Sequence, residues 1–304
     1  MSNSREGIRV TNNVNTLADH LRAGQSGFLP FGDLTMYSMH GIARTLRKAD
    51  IVEGEMPDGL EVMCLKKGRL LEKPCVLTPS RTRTRELVGR ADVFDASVTD
   101  ETREKIFRLL DMTPDKSSLG ILCTGDPGLR ERVWHQTKKT VGVMVPGESA
   151  QYEEVINALD QLIVGTSSNP SGLKRSRGSG AHRLEALLVD FGHDSELCVL
   201  LARGKEPRGG SSSMFELSAD GTQATIIRTG NLSVEAMKDM CHQVGIEKID
   251  DSQIKEIKPY DMSGFPGGET FAWGIFQYYK LLIKLKGDVN VPMWLVEQLR
   301  RRVK

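Results

Sequence analysis

Thr166-Ser167-Ser168-Asn169-Pro170-Ser171-Gly172 follows directly on the apolar Leu162-Ile163-Val164. A β-branched run that empties into hydroxyls, an amide, proline and glycine predicts a strand opening into a polar loop. There, side-chain hydroxyls and free backbone N–H groups hold an anion or a base edge. Earlier in the chain stands Lys67-Gly68-Arg69. Two apart on a strand, the Lys and Arg side chains share one face and aim cations at phosphate or carboxylate. Singly, each is short enough to be an ordinary surface turn or a solvated pair. Together they point to a nucleotide-binding enzyme site.

Working outward, Val14, Leu17, Ala18 and Leu21 have helical spacing between Asn12 and Arg22, which predicts a first helix. Phe28-Leu29-Pro30-Phe31 reads as a strand, His40 to Lys48 as a helix, and Leu60 to Leu65 and Cys75-Val76-Leu77 as short strands flanking the Lys67 block. Arg81-Thr82-Arg83-Thr84-Arg85 is either an edge strand or a helix start, and is read as a solvated face because charge runs usually are. Thr102 to Leu110, Glu153 to Leu162 and Val234 to Val244 read as helices. Leu119 to Cys123, Thr140 to Pro146 and Ile226 to Gly230 read as strands. The alternation predicts an α/β fold with a sheet covered by helices. Lys174, Arg175 and Arg177, among Ser and Gly, make the following loop a candidate lid over a phosphate. Past Gly245 the chain turns polar, with Pro259 and Pro266, before helical patterns from Phe271 to Leu285 and Met293 to Val303.

The chain has 304 residues, enough for one main domain with an extension. With 41 basic and 40 acidic residues, the net charge of +1 provides no global field to recruit nucleic acid or an anionic membrane. Any phosphate binding must come from a local cluster. Cys64, Cys75, Cys123, Cys198 and Cys241 are odd in number and lack the paired spacing of a zinc site, so they read as buried thiols in a reducing compartment. No apolar block matches a signal peptide or membrane span. The expectation is a soluble, cytoplasmic protein.

The order of the blocks resembles the threonylcarbamoyl-AMP synthase, or YrdC-like, family. Phe28-Leu29-Pro30 with Thr35-Met36-Tyr37 is similar to its Pro-Thr-x-Thr-Val-Tyr-Gly-Leu strand, and Lys67-Gly68-Arg69 to its Lys-x-Arg-Pro block. Val141-Gly142-Val143 with Val145-Pro146 resembles Val-Gly-x-Arg-x-Pro, and Thr166 to Gly172 matches Thr-Ser-Ala-Asn-x-Ser-Gly at all but the third place. Ser212-Ser213-Met214-Phe215-Glu216 and Arg228-Thr229-Gly230 resemble the late Ser-Thr-Val-Val-Asp and Leu-Arg-x-Gly blocks.

The resemblance implies a YrdC-like twisted mixed and parallel sheet with a concave ligand-binding face. It assigns residues 12–244 to an ATP-binding catalytic domain and 245–304 to a C-terminal linker and helical extension. It further implies a nucleotidyltransferase that joins bicarbonate, an amino acid such as L-threonine, and ATP into a threonylcarbamoyl-type adenylate for tRNA modification. Lys67 and Arg69 would be catalytic. With Ser167, Asn169 and Arg228 they would also bind ATP, whose charge Mg2+ would carry through phosphate and water rather than through a carboxylate of this chain. Thr35, Tyr37, Ser212, Thr78 and Met144 would line the substrate side.

Two departures bear on that side. Met144 stands where the family strand has Arg, and Thr78 where a His is usual. Each lost charge-assisted bond is worth roughly 2–3 kcal/mol, so L-threonine is expected to be a poor substrate or to bind in a shifted pose. Another amine, with a carbamoyl-adenylate product serving a separate transferase, is the alternative. His20, His40, His135, His182, His193 and His242 lack the metal-binding spacing of an attached transferase. A reading of another class is a non-catalytic RNA-binding or regulatory module whose groove is lined by Arg81, Arg83, Arg85, Lys174, Arg175 and Arg177, against which the balanced charge argues.

Overall fold

The computed structural model describes residues 6–31, 39–45, 76–127, 140–147, 149–168, 184–201, 203, 212–255 and 286–302. Its strands are β1 (Glu6–Thr11), β2 (Gly27–Phe31), β3 (Met39–Thr45), β4 (Val76–Thr78), β5 (Leu119–Thr124) and β6 (Thr140–Val145). They continue as β7 (Ile163–Ser167), β8 (Cys198–Leu200), β9 (Ser213–Leu217), β10 (Gln223–Arg228), β11 (Lys248–Asp250) and β12 (Asp288–Pro292). The described helices are α1 (Val14–Arg22), α2 (Thr84–Arg90), α3 (Asp100–Asp111), α4 (Ala150–Leu159), α5 (Leu184–Phe191), α6 (Val234–Gln243) and α7 (Met293–Arg302).

All twelve strands join one mixed sheet in the order β11-β10-β9-β5-β6-β4-β7-β3-β2-β8-β1-β12. β5 is antiparallel to β6 and parallel to β9, while β4 is parallel to β6 and antiparallel to β7. β1 precedes, and β12 and α7 follow, the 12–244 span read from the sequence, and β12 closes the sheet edge by pairing with β1.

Local chemistry explains most boundaries. The Asn13 carboxamide accepts from Asn15 N at 2.9 Å to start α1, whose Val14, Leu17, Ala18 and Leu21 are buried. Ser149 caps α4 by accepting from Tyr152 N at 3.2 Å, so this helix begins before the expected Glu153. Asp160 ends α4 in the left-handed region, φ 55°, three residues before Ile163 opens β7.

The expected helix from His40 is instead strand β3. It pairs antiparallel with β2 on one side and with β7 on the other, and two ladders override a weak helical spacing. Residues 46–48 of that expectation, together with Leu60 to Leu65, Lys174 to Arg177 and Phe271 to Leu285, lie outside the described residues. The arginine run opens α2 rather than forming an edge strand. Arg83 pairs with Glu86 at 2.6 Å and Asp160 at 2.5 Å, and Arg85 with Glu104 at 2.6 Å and Asp111 at 3.2 Å.

One apolar cluster runs through the molecule, from Ile8, Leu17 and Phe28 through Ile121, Val143 and Tyr152 to Phe215 and Leu299. Cys123, Cys198 and Cys241 are free and buried. Burial pushes their thiols up, to about 11 for Cys123 and about 12 for the other two, so they are poor nucleophiles. Among the described residues, no helix is long and apolar enough to cross a membrane.

Candidate anion and nucleotide site

Strand alternation and register decide what shares a face. Gly120 of β5 stands opposite Met144 of β6 on one side and Met214 of β9 on the other. A Cβ on Gly120 would meet Met144 Cε at 3.0 Å and Met214 Cε at 3.1 Å. Two thioether side chains therefore converge over a residue with no side chain. A lone glycine inside an apolar strand is a sequence signal for such close approach, and the sequence reading did not use it.

Arg228 reaches this face through a bulge. Along β9 and β10 the pairs run Thr225 with Glu216, Ile226 with Phe215, then Arg228 with Met214, with Ile227 skipped. The extra residue sets the arginine, rather than Ile227, opposite Met214.

Ser212 lies immediately before β9 and is fully buried. Its carbonyl accepts from Arg228 Nε at 2.7 Å and its Oγ from Arg228 Nη2 at 3.0 Å. The same hydroxyl donates to Met144 Sδ at 3.2 Å. Its proton is committed to sulfur, which leaves an oxygen lone pair for the guanidinium.

Arg228 is half-buried, and no carboxylate among the described residues pairs with it. Burial alone pushes its pKa down to about 10. A desolvated cation held only by neutral partners favours an incoming anion.

Thr78 ends β4. Its hydroxyl donates to Ile163 O at 3.1 Å, and its carbonyl accepts the Tyr152 hydroxyl at 3.1 Å. Burial holds the Tyr152 phenol well above the ordinary tyrosine range. A Cβ on Gly165 of β7 would touch Thr78 Cγ2 at 3.5 Å, so these two share a face.

Beyond β4, Glu153 of α4 gathers the chain. It accepts from Arg81 N at 2.6 Å, from Thr82 Oγ1 at 3.0 Å and from Ser80 Oγ.

Of the residues read from the sequence, the structure brings Met144, Ser212 and Arg228 into one contact set. Thr78 is committed to the β4–β7 ladder. Ser167 is the last residue of β7, opposite Gly41 of β3. Lys67, Arg69, Asn169, Thr35 and Tyr37 lie outside the described residues.

No protein-family model matches the chain, and no curated protein sequence matches it. Solved structures do. P. abyssi Sua5 complexed with L-threonine has a TM-score of 0.56 at 16% identity, covering 90% of this chain and 73% of that one. E. coli YciO has a TM-score of 0.53 at 15% identity, covering 75% of this chain and 96% of that one. The fold is YrdC-like. A double variant of P. abyssi Sua5 superposes with a TM-score of 0.55 at 17% identity over 78% of this chain, which spans 58% of that longer protein. At these identities the likeness concerns the YrdC-like sheet itself.

Proposed function

We propose that this protein uses ATP, bicarbonate and an amino acid or amine to form an N-carbamoyl adenylate of the threonylcarbamoyl type, releasing pyrophosphate. The observation that carries the reading is Arg228, a half-buried guanidinium held by the carbonyl and hydroxyl of Ser212 on one face of a YrdC-like sheet, with no carboxylate partner among the described residues.

In the reaction, the amine nitrogen bonds to the carbon of bicarbonate, a C–O bond breaks and water leaves, and an oxygen of the resulting carbamate attacks the α-phosphorus of ATP. The bond from that phosphorus to the bridging oxygen breaks, and pyrophosphate leaves. Several anions must be held together, which requires fixed cations in place before the chemistry. In this reading Lys67 and Arg69 supply two of them and Arg228 a third, while Ser167 and Asn169 hold the nucleotide. Among the described residues, no cluster of three or more His, Cys, Asp or Glu is placed to hold a metal ion. Mg2+ would enter on the phosphates of ATP.

Catalysis is assigned to residues 12–244 and a linker and helical extension to residues 245–304; strand β12, within the latter, pairs with β1. The adenylate would pass, in the cytoplasm, to a separate transferase that modifies tRNA. L-Threonine is expected to be a weak substrate, because the buried neutral Met144 lies beside Ser212 where a cation would serve its carboxylate. The RNA-binding alternative loses support from Arg81, Arg83 and Arg85, all of which have carboxylate partners.

The test is pyrophosphate release from ATP and labelled bicarbonate across a panel of amino acids and amines, with the adenylate identified by mass spectrometry. Lys67→Ala should abolish turnover while weakening ATP binding far less. Unchanged release by that variant, or no release with any amine, would sink the reading.

A further inference from the structure

Ser118 stands one residue before β5, whose Leu119 is in register with Ser213 of the parallel β9. Stepping back one place on both strands sets Ser118 opposite Ser212, on strands about 4.8 Å apart. Alternation puts Ser118 on the face of Gly120 and Ser212 on the face of Met214, the face to which Arg228 is delivered. Ser118 is only 3% exposed, and its hydroxyl has no hydrogen-bond partner among the described residues.

The two serines across from it are satisfied. The Ser212 hydroxyl serves Met144 and Arg228, and the Ser213 hydroxyl, on the opposite face, accepts from Gly230 N at 3.0 Å and Leu232 N at 3.2 Å. A buried hydroxyl without a partner is costly, and in folded proteins such groups mark a ligand, a water or a functional strain. Here it stands across the strand pair from Ser212, the residue that holds the Arg228 guanidinium through Nε and Nη2. A free O–H donor on the same face as a cation that no described carboxylate neutralises matches one anionic oxygen.

We propose that Ser118 binds the ligand directly, its hydroxyl donating to an oxygen of the phosphate or carboxylate that Arg228 neutralises. This rests on the reading of Arg228 as an anion site, but not on the adenylate chemistry. The full-length protein and its Ser118→Ala variant are titrated by calorimetry with ATP, pyrophosphate and L-threonine, and the free proteins are melted.

The variant should lose affinity by about tenfold or more, where a tenfold loss equals ~1.4 kcal/mol. The free variant should melt at the same or a higher temperature, because an unsatisfied polar atom has been removed. A loss confined to ATP and pyrophosphate assigns the oxygen to phosphate, and one confined to L-threonine assigns it to carboxylate. Unchanged affinity overturns the proposal. So does affinity lost together with a lowered melting temperature of the free protein, or no binding of any of the three probes by the native chain. Anion binding without pyrophosphate release would overturn the adenylate reading and leave Ser118 in place.

Discussion

Among the described residues, the guanidinium of Arg228 is held by Ser212, through its carbonyl at 2.7 Å and its hydroxyl at 3.0 Å. Both are neutral acceptors, so the geometry of the arginine is fixed while no carboxylate among the described residues answers its charge. That pairing makes a cation that is positioned before any ligand arrives, which reduces the ordering cost of anion binding. It also makes the cation a burden on the free protein.

Arg228→Met should separate these two effects. Anion affinity is expected to fall roughly 10–100-fold, the scale of one lost charge-assisted bond. The free variant should be as stable as the native protein or more so. Burial lowers the arginine's pKa to about 10, so the penalty on its charged form is in full force below that pH and eases as pH rises through it. The stability difference between the two proteins should therefore narrow above about pH 10 in melts at graded pH. A marked loss of stability at neutral pH in Arg228→Met would contradict the account.

Glu153 holds the end of β4 to α4 by accepting from Arg81 N, Thr82 Oγ1 and Ser80 Oγ. Glu153→Ala leaves those donors without their acceptor and should cost about 1–3 kcal/mol in urea unfolding. Because the adjacent Tyr152 donates to Thr78 O, amide exchange should quicken at β4 before it does in β5.

The carboxylates around the arginine run set an acid limit. Arg83 and Arg85, through hydrogen bonds, hold Glu86, Asp160 and Glu104 below the usual carboxylate range. A lowered pKa in the folded state gives stability that is present above the ordinary carboxylate range and lost as pH falls through the lowered values. Melting temperature should accordingly decline below about pH 4. The decline should be shallower in Arg83→Gln, which removes one of the two arginines that donate to Glu86 and Asp160 and leaves Arg90 in place.

Gly120 is the meeting point of Met144 and Met214. Alanine there requires the flexible methionine ends to give a few tenths of an ångström. Valine would drive them apart, at about 1–3 kcal/mol for overpacking, and pull Met144 Sδ from the Ser212 hydroxyl. Gly120→Val should thus weaken anion binding more than Gly120→Ala, and calorimetry on both variants checks the order.

Local periodicity made much of this fold legible. The spacing of Val14, Leu17, Ala18 and Leu21 specified α1, the apolar runs of β5 and β6 declared themselves, and Ile163-Val164 did end in a polar segment at Ser167. Those features depend on neighbours within a turn or a strand, so they can be read in order along the chain.

What depends on distant partners could not be read that way. Residues 40–45 became a strand because β2 and β7 flank them, and residues 288–292 became a strand because β1 offered an edge. The sequence singled out Arg228 and Ser212 as candidate residues, but their contact follows from a one-residue bulge at Ile227, which chooses the face on which the cation emerges. The same kind of pairing commits the proton of the Thr78 hydroxyl to Ile163 O across the β4–β7 ladder. Side-chain type determined what chemistry was available. Strand register, a property of pairing between segments far apart in sequence, decided which of those groups face one another.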